Sequence, residues 1–494
     1  MLNPVINTLS FSRLCVNLKR QSVVECRFPQ VDDVVDVIAA YPQVSCLSCE
    51  VSSGRVNYSG RLILTVAYSD EEGKLCRIQR GVEFSHYADD AALAPAQTGL
   101  CNLACERTQV KREGSALVVS CVVGANIDVY ANGEAEYVSS CEGAFTKIEN
   151  KNIFTAVTFS GASEIEDEFE ADSVVDILIA GAQPVITSCE CGTGEVVVTG
   201  EIYLSLFAMR QSMPVCLDRN IPFKACVPCD DAVAGMPASA AAEIRDLNVT
   251  ATVNEERGKC GVNVSCDLAV NGVFYSAVTV EAVTDAFACD NRLNLSYEEQ
   301  AAYPCEGIKV YAERVSGLAA SKSKLDYTCL FRAVVLPRAE FNPINSGGAV
   351  EGSVTAVLIY EQGGEIKSSE INLPFSVSPE VLVGEGRIAQ ISVAVCGVNV
   401  KQPREGEIEA EASLKISAVT SLTERCIYIS TISEGEAIVP NDSAISVFIP
   451  SEGDGLWDIS KKLMQPPETV AQCNPDLNYP LSGRERILIF RRKS

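Results

Sequence analysis

Three stretches far apart in this chain are variations on one strand. Ser59 to Tyr68, Thr199 to Ala208 and Glu351 to Tyr360 each open with a residue-glycine pair and continue with apolar side chains at every second position. That is the period of a half-buried β-strand. A phenylalanine follows each glycine at nearly constant distance: Phe84, Phe223 and Phe375 lie 24, 23 and 23 residues beyond Gly60, Gly200 and Gly352. A further alternating strand closes each copy, at Leu117–Val123, Cys260–Leu268 and Ile408–Ile416. A recurrence of about 140 to 150 residues is too long for a solenoid, whose repeats run about 20 to 50, and long enough for each copy to bury its own core. The chain is therefore read as a domain duplication.

Strands of five to nine residues rich in Val, Ile and Thr, punctuated by Gly and Pro, predict antiparallel β structure with little helix. Asn132-Gly133 and Asn271-Gly272 have the composition of tight hairpin turns, and helix is expected only in short pieces such as Asp231 to Arg245. The fold class expected is mainly β: three tandem antiparallel β-sandwich-like domains followed by a small βααβ domain. The divisions are an N-terminal lead (1–22), repeat one (23–150), repeat two (163–290), a linker (291–325), repeat three (326–440) and the final segment (443–494). The acidic run Glu164 to Asp172 reads as a solvated linker between the first two copies.

The final segment changes period. After an apolar strand, Gly453-Asp454-Gly455 leads into a helix in which Leu456, Ile459, Lys462 and Leu463 share one face, with Asp458 and Lys461 in water. Pro466-Pro467 ends that helix, Glu468 to Cys473 forms a second, Asn474-Pro475 stops it, and Ile487 to Phe490 closes as a strand. Gly453, Asp454, Leu456, Trp457, Ile459, Asn474, Gly483 and Ile489 follow the LysM pattern, so this tenth of the chain resembles a LysM domain. Gly455 departs from it by replacing a helix-capping threonine, at a cost of a few tenths of a kcal/mol. The resemblance implies a groove for N-acetylglucosamine chains, or a protein in its place, between Gly453, Asp454, Gly455 and Leu456 with Trp457 on one side and Asn478, Tyr479, Pro480 and Leu481 on the other. Trp457 is read as part of the helix face rather than as a sugar-stacking platform.

Three β copies ahead of such a module, with the lead-in Val23 to Ile38 and its weaker echo Phe169 to Leu178, resemble the spore-coat-associated SPOCS (DUF3794) family of spore-forming Firmicutes. The resemblance implies a non-enzymatic adaptor in spore coat morphogenesis. It implies a place in the mother-cell cytoplasm at the forespore surface, and contact with the coat's basement-layer ATPase through the LysM-like module. The alternative of another class is an anchor that binds peptidoglycan.

Bulk properties narrow the choice. Net charge is −25, and Ser443 to Ser494 holds seven Lys or Arg against six Asp or Glu, so the β copies carry the acidity and nucleic acid is excluded as their partner. No run of about 18 apolar residues predicts a membrane span, and the first residues lack the basic start and continuous apolar stretch of a signal peptide. Twenty-two cysteines in a chain expected in the cytoplasm point to burial, a metal or a catalytic thiol, and the family resemblance adds later cross-linking. The pairs Cys46/Cys49 and Cys226/Cys229 are too far apart for a zinc site, so no metal or cofactor is expected. His86 is the only histidine, and no Gly-x-Ser-x-Gly or phosphate-binding loop accompanies it, so no enzyme is expected.

Overall fold

A computed structural model describes residues 2–29, 33–172, 176–210, 213–254, 259–320, 330–344, 347–377, 387–404, 407–439 and 445–490. These residues are mainly antiparallel strand, with two short helices near the end. The first group is β1 (Asn3–Phe28), β2 (Asp36–Ser52), β3 (Arg55–Ser69), β4 (Leu75–Asp89), β5 (Thr98–Glu113) and β6 (Ala116–Glu142), paired as β1-β6-β5 and β2-β3-β4. The second is β7 (Phe145–Asp172), β8 (Asp176–Cys191), β9 (Glu195–Arg210), β10 (Met213–Pro228), β11 (Ala238–Asn254) and β12 (Lys259–Phe287), paired as β11-β12-β7 and β10-β9-β8.

The third group repeats this order with its two long strands broken. β13 (Asn291–Ala302) and β14 (Cys305–Ala320) stand where β1 and β7 are continuous; the break falls at Pro304, which lacks an N–H for the ladder. β15 (Leu330–Ile344), β16 (Gly347–Gln362), β17 (Glu365–Val377) and β18 (Arg387–Arg404) follow, then β19 (Glu407–Ser421) and β20 (Glu424–Ala437). Pairings are β13-β20, β14-β19-β18 and β15-β16-β17.

The Gly–Phe spacing has a steric cause. In each copy the two residues are direct cross-strand partners: Gly60 with Phe84, Gly200 with Phe223, Gly352 with Phe375. A Cβ on Gly60 would stand 2.5 Å from the Phe84 ring, and one on Gly200 would stand 2.6 Å from the Phe223 ring and 2.2 Å from the Val185 carbonyl. The ring covers the glycine, which leaves room for nothing larger.

The same rule corrects the expected hairpins. Asn132-Gly133 and Asn271-Gly272 lie inside β6 and β12, where Gly133 faces Phe11 and Gly272 faces Phe159. These glycines make space for a ring instead of supplying a turn. Other local expectations also yield to pairing. No helix forms at Asp231 to Arg245; from Ala238 onward this stretch is β11, because its side chains pack on the second core. Glu164 to Asp172 is the end of β7, with its carboxylates exposed except Asp167, which is partly buried against Arg219, and with Ile165 and Phe169 packed inward. From Asn3 onward the N-terminal lead belongs to β1, and the linker 291–325 contains β13 and β14.

Strands from different sheets contribute to one apolar cluster in each group. Val119, Cys121 and Val123 of β6 meet Leu62, Leu64 and Val66 of β3; Val262, Val264 and Cys266 of β12 meet Ile202, Leu204 and Leu206 of β9; Ala410, Ala412 and Leu414 of β19 meet Val354, Ala356 and Leu358 of β16. The groups also meet one another in repeating fashion. Ala67, Phe207 and Ile359, each seven residues beyond its landmark glycine, share one apolar cluster with Ile38 and Leu178. Gln43 donates to the Ile244 carbonyl at 3.2 Å, and Gln183, 140 residues later, accepts from Val395 N–H at 2.8 Å. β15 of the third group touches β5 of the first, which closes the cycle. Beyond this ring, the ends of β6, β12 and β20 bring Val138, Val283 and Ile429 together, so three ribbons form a common extension.

Candidate interaction site in the C-terminal segment

The last described residues form β21 (Ile445–Phe448), α1 (Leu456–Leu463), α2 (Pro467–Cys473) and β22 (Ile487–Phe490), with β21 and β22 antiparallel. Ile459, Val470, Leu481 and Ile487 are the buried centre, with Phe448, Leu456, Leu463, Leu477 and Tyr479 around them. α1 ends at Met464 in the left-handed region, and Pro467 occupies the first turn of α2, where its missing N–H costs nothing.

The two loops singled out from sequence lie side by side. Gly453 N–H donates to the Leu481 carbonyl at 2.8 Å, and Leu481 N–H donates to the Asp454 carbonyl at 3.0 Å. Gly453 needs its φ of 89° for this exchange. The Asp454 carboxylate accepts from Lys462 Nζ at 2.7 Å and Ser451 N–H at 2.8 Å, which holds it below the usual carboxylate range. Gly455 has no hydroxyl to cap α1, but its own N–H donates to Asp458 Oδ2 at 2.9 Å, so the returning half of a capping box survives. Asn474 joins α2 to β22: its Nδ2 donates to the Val470 and Leu488 carbonyls at 2.9 and 2.8 Å, and its Oδ1 accepts from Leu488 N–H at 2.8 Å. Asn478 and Pro480 are exposed and Leu481 is buried. The Tyr479 hydroxyl is buried without a hydrogen-bond partner, and desolvation raises its pKa.

Trp457 does not face the loops. Its Nε1 donates to Asp285 Oδ2 at 2.8 Å and its ring meets Phe287 edge-on, with centroids 5.2 Å apart. Lys461, expected in water, donates to the other Asp285 oxygen at 2.5 Å. Phe287 in turn stacks on Phe145 at 5.2 Å. The helix is thus seated on the end of the β7–β12 ribbon, a contact sequence reasoning missed because nothing local to Asp285 marks it as a partner of Trp457. Sequence reasoning also passed over the outer face of β21, although the alternation is visible: Ile445, Val447 and Ile449 are 58, 57 and 70% exposed. Leu488, the partner of Val447, continues that apolar strip onto β22.

Elsewhere, a cavity of about 740 Å³ opens where the three groups meet, lined in part by Asn17, Asn102, Asp128, Asn271 and Ser421. Its amides bond each other, as Asn271 Nδ2 does with Asn102 Oδ1 at 3.0 Å. His86 lies beside the Phe84 and Tyr58 rings, at 5.6 and 6.1 Å between centroids. Among the described residues no group of three or more His, Cys, Asp or Glu side chains is arranged to hold a metal ion, and no helix is long and apolar enough to cross a membrane.

Residues 173–252, which include β8, β9, β10 and most of β11, match the family model for SipL, SPOCS domain. The match takes in Gly200 and Phe223, the landmark pair of the second copy. It supports the SPOCS resemblance, and with it a sporulation-related role and a spore-related location. No curated protein matches the chain, and no solved structure does.

Proposed function

We propose that this protein is a non-enzymatic adaptor in spore coat or envelope morphogenesis, in which three β-sandwich-like SPOCS units carry a LysM-like module that docks the coat's basement-layer ATPase. The SPOCS-domain match within the repeated body carries this reading. Two features of the segment favour a protein partner over N-acetylglucosamine chains. Trp457, the one large aromatic of the helix face, is engaged with Asp285 and Phe287, and the surface left free on β21 is an apolar strip. Contiguous exposed apolar side chains of this kind mark protein contacts more often than sugar sites.

Purified full-length protein is incubated with the ATPase from the same cell and, separately, with insoluble peptidoglycan. Retention by the ATPase, lost in Val447→Asp while thermal unfolding is unchanged, is the expected outcome. Retention by peptidoglycan alone replaces the adaptor with the glycan-anchor reading.

A further inference from the structure

Three thiols from opposite sheets of the first group share one core beside its seam with the second. Cys46 and Cys49 lie on β2, and the buried Cys101 lies on β5, a strand of the other sheet. Cys46 and Cys49 pack against the core cluster that contains Cys101. Gly99, two residues before Cys101 and so on the same face of β5, makes the approach feasible: a Cβ there would stand 2.6 Å from Cys49 Sγ. Cys46 instead turns its thiol along its own strand, donating to the Ser48 carbonyl at 3.5 Å. Glu243 of β11 spans the same place, accepting from Cys46 N–H at 2.9 Å and Leu103 N–H at 2.7 Å. The point where the two thiol-bearing strands approach is therefore also where the second group grips the first.

We propose that Cys49 and Cys101 form a reversible disulfide that staples β2 to β5, made by exchange with a low-molecular-weight disulfide. Cys49 Sγ, as thiolate, attacks one sulfur of the external disulfide, forming a mixed disulfide and expelling one thiolate. Cys101 passes its proton to that thiolate, and its sulfur attacks Cys49 Sγ, expelling the second thiolate, which takes a proton from water in exchange for the one Cys49 gave up. The protein loses two hydrogen atoms and the external disulfide becomes two thiols. The order follows from the surroundings of each thiol: the neighbouring Cys101 holds the Cys49 thiol below its ordinary pKa, whereas Cys46, Cys49 and burial keep Cys101 protonated. Cys49 is also the more accessible of the pair.

The test treats reduced full-length protein with oxidised glutathione, blocks remaining thiols with iodoacetamide, and maps peptides without reduction. The expected product is the Cys49–Cys101 linked peptide, undiminished in Cys46→Ser. In Cys101→Ser, provided circular dichroism matches the parent, Cys49 is expected to stop as a glutathione adduct; if that variant does not fold, the parent and Cys46→Ser maps decide. The proposal is overturned if Cys49 and Cys101 are both alkylated under conditions that modify the exposed Cys226, or if Cys101 links to Cys46 instead.

Discussion

The repeated body and the C-terminal segment solve the same problem, satisfying buried polar groups, over very different distances. In the body the decisive bonds cross from one copy to the next, as Gln43 does to Ile244, Gln183 to Val395 and Glu243 to Cys46 and Leu103. In the segment they stay within a few dozen residues: Asp454 with Lys462, and Asn474 with Val470 and Leu488. Its only described side-chain hydrogen bonds to the body are those from Trp457 and Lys461 to Asp285. Each copy of the body thus leans on its neighbours, whereas the segment closes its own small core and is moored through Asp285 and the Phe287 ring.

Three substitutions test that contrast. The largest effect is expected for Gly200→Val, because even a Cβ would stand 2.2 Å from the Val185 carbonyl and 2.6 Å from the Phe223 ring. Backbone must separate, at a cost of about 3 kcal/mol or more, and urea unfolding should reveal loss of the second group together with its contacts to both neighbours. A transition affecting only residues 145–287 would show the copies to be independent.

Next comes Glu243. Desolvation between the first two groups raises its pKa from 4.5 to about 7, against the lowering effect of the Cys46 and Leu103 amides and of Arg245. Its proton is bound more tightly folded than unfolded, so the stability it contributes is present below about pH 4.5 and is lost as pH rises through about 7. The change is on the order of 3 kcal/mol. Urea midpoints at pH 4 and pH 8 should therefore fall more with rising pH in the parent than in Glu243→Gln. Equal slopes would place the carboxylate in solvent. The smallest effect is expected for Asn474→Ala, which strands Leu488 N–H and two carbonyls for about 2 kcal/mol. Hydrogen exchange should quicken within 445–490 and stay unchanged in the body; a body-wide response would contradict the segment's self-sufficiency.

Much of this architecture was legible in sequence, and the failures share a cause. Alternation located the central strands β3, β9 and β16, since those are apolar on the face that meets a core. The Gly–Phe interval was noticed as a number before it had a meaning, and the structure supplies it as cross-strand partnership. The same partnership explains why Asn132-Gly133 and Asn271-Gly272 misled: a glycine beside asparagine has the composition of a turn, and only the phenylalanine opposite, more than 100 residues away, shows that it lies within a strand. In the candidate site, the approach of the Gly453 and Leu481 loops came from the LysM resemblance. Asp285 did not, because an exposed-looking aspartate in a distant strand has no periodic relation to Trp457.

The sequence by itself determined the threefold recurrence, by comparison of the chain with itself, and what depends on near neighbours: strand periodicity, helix stops at proline, and the turns that bracket the last fifty residues. These are set by backbone sterics and by the alternation of faces, which act over a few residues. Tertiary structure alone decided which glycines lie under rings, how Ala67, Phe207 and Ile359 come to share one cluster, where Trp457 is moored, and that Cys49 lies over Gly99, two residues from Cys101. Each of these requires strands distant in the chain to be brought within a few ångströms, and no local pattern encodes that proximity.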